Sequence, residues 1–194
     1  MIMYILNNYI VHIDTKNYIA DYRNPEKFIG FCKQCNKYNN CWACPPYNFD
    51  TEYNITKYNR VYIIGTKIIP SETIRSRCDN AENSKQTGAD IITHVRSKLD
   101  RQLLDLEIKY PESRAFFAGT CHVCGKEDCT RLTNNPCRYP EKIRHSLESF
   151  GFDIGKTTKE LLDIELKWSN DGLLPEYFTL VSALFTNEEI DIQL

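Results

Sequence analysis

Three stretches of the chain are apolar on both faces: Val61 to Ile64, Ala115 to Ala118, and Tyr177 to Phe185 with its β-branched and aromatic run. Strands of that kind belong in a sheet covered on both sides. The opening Tyr4-Ile5-Leu6, Asn7-Asn8, Tyr9-Ile10-Val11 reads as a hairpin, because paired Asn tolerates the positive φ of a two-residue turn. Between the first two apolar strands, Ile91, Ile92, Val95, Leu99, Leu103 and Leu106 recur at three- and four-residue steps. That spacing predicts a helix from about Gly88 to Ile108, ending before Pro111. Strand, helix, strand in this order predicts a right-handed crossover joining two parallel strands. Farther on, Pro140 at a first turn, Ile143, Leu147 and Phe150 on one face, and Gly151 as a stop predict a short helix. Asn24, Pro25 and Glu26 look like another helix start, and Thr157 with Glu160 reads as a capping box ahead of Leu161, Leu162 and Ile164. The fold class expected is α/β (or α+β), a mixed sheet with a central parallel strand-helix-strand unit and helices on both faces.

Composition narrows the function more than the fold. A chain of 194 residues with 42% hydrophobic positions can bury a core of its own, so 1–194 is read as a single domain. A net charge of -2 leaves no basic excess to hold a phosphate backbone, which removes nucleic acid from the expected partners. No run approaches the roughly 18 apolar residues that cross a bilayer, and the amino terminus lacks a basic region followed by a cleavage site. The expectation is a protein of the cytoplasm with no membrane partner. In that compartment nine cysteines are many, and clustered ones more often bind metal or do redox work than form disulfides.

Two cysteine-rich loops, 32–47 and 119–139, hold eight of them. The first reads Cys32-x2-Cys35-x5-Cys41-x2-Cys44-Pro45-Pro46, with Tyr38, Trp42 and Tyr47 interleaved. The second reads Cys121-x2-Cys124-x4-Cys129-x7-Cys137 and follows the Ala115 to Ala118 strand. From a parallel strand that loop would leave at the carboxyl end, where open α/β sheets place ligands. Thiolates serve both zinc and iron–sulfur clusters. Cys121-x2-Cys124-Gly125 resembles a zinc knuckle with Cys32-x2-Cys35 as partner, but Cys129 and Cys137 form no second Cys-x2-Cys. Irregular gaps after one Cys-x2-Cys, and a last cysteine before proline, suit loops that wrap a 4Fe–4S cube. Cys78, alone in a polar stretch, reads as a buried small hydrophobe.

The arrangement resembles the predicted metal-binding family catalogued as domain of unknown function 2284. That family's cysteine pair, Tyr, Trp and Cys-Pro-Pro correspond to Cys32, Cys35, Tyr38, Trp42, Cys44, Pro45 and Pro46. Its downstream pattern is met by Ala118, Gly119, Cys121, Cys124, Cys129, Cys137, Arg138, Pro140, Arg144, Ser146, Glu148, Gly151 and Asp153. The resemblance implies metal binding and no particular reaction. Cys41 falls where the family requires no cysteine, and His145 where proline is common. If Cys32, Cys35 and Cys44 alone bind at the first site, a cube there keeps one iron open to water, substrate or another ligand.

Arg138, Arg144 and His145 lie at and beyond Cys137 and are candidates for holding a cofactor or a small anionic substrate, against the alternative of a solvated face. His122 sits between two candidate ligands, where side chains usually point away; His12 and His94 have no partner in the sequence. No Walker loop, dinucleotide fingerprint, nucleophile elbow or zincin motif is present. The functional expectation is one or two 4Fe–4S clusters on Cys32, Cys35, Cys41, Cys44, Cys121, Cys124, Cys129 and Cys137. They would serve electron transfer with a redox partner, or an iron–sulfur enzyme working at an open iron. The alternatives are a zinc protein whose sites staple a binding module, or a metal or sulfur carrier.

Overall fold

A computed structural model describes residues 3–125, 127–169 and 172–194. Four strands, β1 (Tyr4–Asp14), β2 (Arg60–Pro70), β3 (Ser113–Phe116) and β4 (Phe178–Thr186), form one sheet in the order β1-β2-β4-β3. Its helices are α1 (Thr15–Tyr22), α2 (Pro25–Lys33), α3 (Thr51–Thr56), α4 (Glu72–Arg77), α5 (Ala81–Lys109) and α6 (Ile154–Leu161). Every pairing is antiparallel.

The parallel strand-helix-strand unit expected from the sequence is therefore corrected. β2 and β3 run in the same direction, but β4 lies between them and pairs with both, so α5 crosses a split unit. Patterning accounts for the place of β1. β2 and β4 are buried on both faces along most of their length, which suits interior positions, whereas β1 is mostly exposed and takes an edge. The hairpin expected at Asn7-Asn8 is likewise absent. β1 runs through it unbroken, with Tyr4 opposite Pro70 and Asp14 opposite Arg60, and the Asn8 side-chain oxygen accepts a hydrogen bond from Thr66 at 2.8 Å.

Helices do cover both faces. Val61, Ile63, Val181, Ala183, Phe185 and Phe116 meet Tyr18 and Tyr22 of α1, Ile55 of α3, and Phe150 and Phe152. On the other face Tyr62, Ile64, Leu180, Leu184, Ala115 and Phe117 lie under the α5 stripe of Ile91, Val95, Leu99 and Leu103. α5 starts at Ala81, capped by Asn80, rather than at Gly88. Gly88 is a point of close approach, where an added Cβ would stand 3.1 Å from the Phe178 ring.

Two local expectations give way to tertiary contacts. Residues 140–151 form no α-helix, only a 3-10 turn at Glu148–Phe150. Phe117 donates its amide to the His145 carbonyl at 2.9 Å and Arg144 is drawn inward, which straightens the chain before the turn. Gly151 still ends the element at φ 86, and an added Cβ would lie 2.6 Å from Pro25 Cα. The cap of α6 is Asp153, which accepts from the Lys156 amide; Thr157 lies buried inside the helix against the Tyr18 hydroxyl.

Candidate metal centre

α2 starts as the sequence predicts, with Asn24 accepting from the Lys27 amide and Pro25 in the first turn, and it delivers Cys32 in its last turn. Tight turns follow: the Cys35 amide donates to the Cys32 carbonyl and the Cys44 amide to the Cys41 carbonyl, both at 3.0 Å. Each Cys-x2-Cys thereby folds back on itself. The second loop leaves β3 through Gly119 at φ 70 and turns at Gly125 at φ 61. It closes where the Thr130 hydroxyl donates to the Pro136 carbonyl at 2.9 Å. Lys126 of this loop lies outside the described residues. The sheet being antiparallel, the parallel-sheet rule for ligand sites does not account for the loop's position, although it does leave from the carboxyl end of β3.

The two loops are laced to each other. Arg131 of the second loop donates Nη1 to the carbonyls of Cys41 (2.9 Å) and Cys44 (2.5 Å), and Nη2 to Asn39 Oδ1 (3.2 Å) and the Pro46 carbonyl (2.6 Å). Its guanidinium lies 5.2 Å from the centre of the Trp42 ring, and the Trp42 indole donates to the Asn135 carbonyl at 3.1 Å. The sequence marks Trp42 as a loop aromatic but gives no signal for Arg131 beyond its place between cysteines.

All nine cysteines carry free thiols. Cys32, Cys35 and Cys44 line one cavity of about 180 Å³, together with Tyr38, Ser146 and Glu148. Cys41 is buried and stands at the junction of the loops, within thiol hydrogen-bonding reach of Cys121 and Cys44. Those two hydrogen bonds hold the Cys41 thiol well below its ordinary pKa, while Cys44 and Cys121, donating to it and buried, are pushed up. Cys124, Cys129 and Cys41 bear on Cys137, whose own thiol burial pushes up. The structure thus makes the two cysteine sets adjoin through Cys41. Among the described residues, no group of three or more His, Cys, Asp or Glu side chains converges to hold a single metal ion. Cys78 lies apart, buried at the end of α4.

Buried charge stands beside the thiols. Arg96, on the stripe face of α5, donates Nη1 to His122 Nε2 at 2.7 Å and lies 3.4 Å from Asp100. A guanidinium only donates, so that histidine nitrogen accepts and its ring is neutral. Burial, then Arg96, holds the His122 pKa down at about 4. The fields of Cys121 and Glu148 both reach Arg96, which places this cation between the second loop and the Glu148 turn. Its signal in the sequence is an arginine four residues after Ile92 and three before Leu99, on a stripe that should be apolar. Glu148 lines the three-cysteine cavity. Burial raises its carboxyl pKa, against hydrogen bonds from its own amide and from Ser146.

The three residues proposed to hold a cofactor or anion take separate places. Arg138 donates to the Asp128 carbonyl at 2.8 Å and lies beside Cys124, 3.4 Å from Glu127. Arg144 is buried against Glu107, with its remaining donors on the carbonyls of Glu141 and Ile143. His145 packs among Tyr47, Phe49 and Phe150 and ties its Nδ1 to the Ala43 carbonyl at 3.1 Å. A larger cavity, about 760 Å³, opens between α5 and the chain after β3 and is bordered by His122, Asp100, Glu107 and Arg144. His12 lies on Tyr62 and His94 near Tyr4, both removed from these loops.

Acid should destabilise the fold at His145, because burial and the neighbouring Arg114 and Arg144 disfavour the charged ring even though the Ala43 carbonyl favours it. Burial lowers the ring's pKa from 6.5 to about 4. Its depressed folded value means that the contribution to stability is complete above about pH 6.5 and is lost as the pH falls through about 4. At about 1.4 kcal/mol per pKa unit, the whole effect is on the order of 3 kcal/mol. Urea-unfolding midpoints measured across that window should decline in the wild type and decline less in His145→Gln. Equal slopes would remove His145 as the source.

The fold and these loops define an α/β protein with a thiol-rich site built from two interlocked loops. The family described as predicted metal-binding protein (DUF2284) matches residues 16–185, and the chain belongs to it. Comparison with curated proteins and with solved structures found no match. Metal binding is thereby supported at the level of the family, and the chemistry of the donor set fits it: thiols, in two adjoining loops, beside a buried cation.

Proposed function

We propose that this is an iron–sulfur protein, with a 4Fe–4S centre held by Cys32, Cys35 and Cys44 and a second by the thiols of the 119–139 loop. The observation that carries the reading is the cavity of about 180 Å³ onto which three thiols face. A lone zinc ion draws its sulfurs to about 2.3 Å and leaves no such space between them, whereas a cube takes its thiolates at separated corners.

When bound, such a group supplies one-electron redox chemistry, or Lewis acidity at an iron that lacks cysteine. The chain supplies the rest. Arg131 fixes the backbone of the first loop, Arg96 sets a cation beside the thiolates, and Cys41 stands between the two sets, where through-contact coupling is shortest. A redox partner, or a small substrate reaching the first cavity, completes the reading.

Purification without oxygen, followed by visible absorption and iron, zinc and acid-labile sulfide analysis, tests it. The expected result is a brown protein with a broad band near ~400 nm and about four iron and four sulfide per site. A colourless protein carrying zinc and no sulfide would overturn the reading and leave zinc staples in a binding module.

A further inference from the structure

Glu148 is the polar group in the first cavity that the cysteines leave unexplained. It borders the same space as Cys32, Cys35 and Cys44. Its Oε2 is buried and has no hydrogen-bond partner among the described residues, although the residue as a whole keeps some accessible surface. An acceptor sealed in this way is costly to bury, and more so when charged, unless something electropositive reaches it. Arg96 is near enough for its field to be felt but gives this oxygen no hydrogen bond; its own contacts are His122 and Asp100.

The position of the carboxylate is built in. Glu148 begins the 3-10 turn Glu148–Phe150, which packs on α2, the helix that presents Cys32. The Asn24 amide donates to the Gly151 carbonyl at 2.8 Å, and Gly151 is pressed against Pro25. Turn and helix are thus joined at their roots, and Glu148 and Cys32 both border one cavity. Cys41, the remaining cysteine of the first loop, does not border this cavity and faces Cys121 as well as Cys44.

We infer that the Glu148 carboxylate is the fourth protein ligand of the centre held by Cys32, Cys35 and Cys44. The inference rests on the iron–sulfur reading and sharpens it. A hard oxygen ligand on one iron of a thiolate-bound centre makes that iron electronically distinct and more readily exchanged than its neighbours.

The test is ⁵⁷Fe Mössbauer spectroscopy of the anaerobically reconstituted protein, with the rate of iron loss under mild oxidation measured on the same samples. Wild type, Glu148→Gln, Glu148→Cys and Cys41→Ala are compared. The expected result is one distinct iron signature in the wild type that Glu148→Gln alters, with loss of that iron about ten-fold faster or more. Glu148→Cys should restore retention and convert the signature to that of an all-thiolate cube. Cys41→Ala should leave the distinct iron as it is.

A Glu148→Cys spectrum identical to wild type overturns the inference, even if Glu148→Gln folds poorly. So does a signature changed by Cys41→Ala and untouched by either substitution at Glu148. In both cases the centre is present and the iron–sulfur reading survives. A wild type that takes up no iron fails that parent reading, and this inference with it.

Discussion

Arg131→Ala should release metal from the protein about 10- to 100-fold faster than wild type, although no atom of Arg131 is a metal ligand. The side chain makes four hydrogen bonds to the Asn39 to Pro46 segment and covers the Trp42 ring. Two of its acceptors are the carbonyls of Cys41 and Cys44, so the bonds fix the backbone from which those thiols project. Removing them lets the first loop drift from the second by the ångström or so that separates a held centre from a labile one. Lysine should not rescue the loss. Its ammonium is a single point with rotating donors, whereas these acceptors are spread around a planar fork. The measurement is the rate of metal transfer to a chelator for wild type, Arg131→Ala and Arg131→Lys. A lysine variant that releases metal at the wild-type rate would mean that positive charge alone holds the loop, and the fork argument would fall.

The candidate thiols are more legible in the sequence than the scaffold that holds them. Thiol spacing and the Pro-Pro turn point to both loops, because clustered cysteines are read directly from the chain whatever surrounds them. The start of α2 at Asn24-Pro25 and the stripe of α5 are equally plain, since capping and a single buried face are local properties. Strand order is not local. β2, β3 and β4 all read as strands with two apolar faces, and nothing in their patterns says that β4, last in the chain, inserts between the other two. The 140–151 segment failed for a related reason. Its apolar spacing is helical, but the partners that straighten it, Glu107, Phe117 and Ala43, are far away in sequence. Arg131 was missed because its acceptors are backbone carbonyls, which carry no side-chain signature. Arg96 was available as a charge out of place on an apolar stripe.

The arrangement of the supports suggests why so much polar structure is spent here. Hydrogen bonds run from the second loop to the first through Arg131 and Trp42, from the chain after the second loop to the first through His145, and from α5 to the second loop through Arg96. Each joins two segments that the sheet alone would leave independent. A thiol-rich loop without such ties would be free to collapse its cysteines onto each other or to bind metal in several registers. With them, the cavity at Cys32, Cys35 and Cys44 has one shape before any metal arrives, which lowers the ordering cost at binding.

The largest expected effect on the fold itself belongs to the Arg144 and Glu107 pair. Their side chains are only 7% and 13% exposed. Arg144 Nε donates to Glu107 Oε1 at 2.7 Å, Nη2 meets Oε2, and Nη1 donates to the carbonyls of Glu141 and Ile143 at 2.8 and 2.7 Å. Glu107 Oε1 also accepts the Ala115 amide of β3 at 2.6 Å, so one carboxylate ties α5, the sheet and the segment leading to Glu148. Removing one partner leaves the other charge buried without its counterpart. Arg144→Met or Glu107→Leu alone should therefore cost about 3–5 kcal/mol, a large share of the roughly 5–15 kcal/mol that holds a typical domain together. The double substitution should cost clearly less than the two single losses added, because no charge is then stranded and the apolar side chains can pack. It should not become neutral, since the Ala115 amide and the two carbonyls still lose a partner. Urea unfolding of the four proteins gives the coupling directly. Additive losses would mean that the pair contributes as two independent contacts, and that the tie between α5, β3 and the segment leading to Glu148 lies elsewhere.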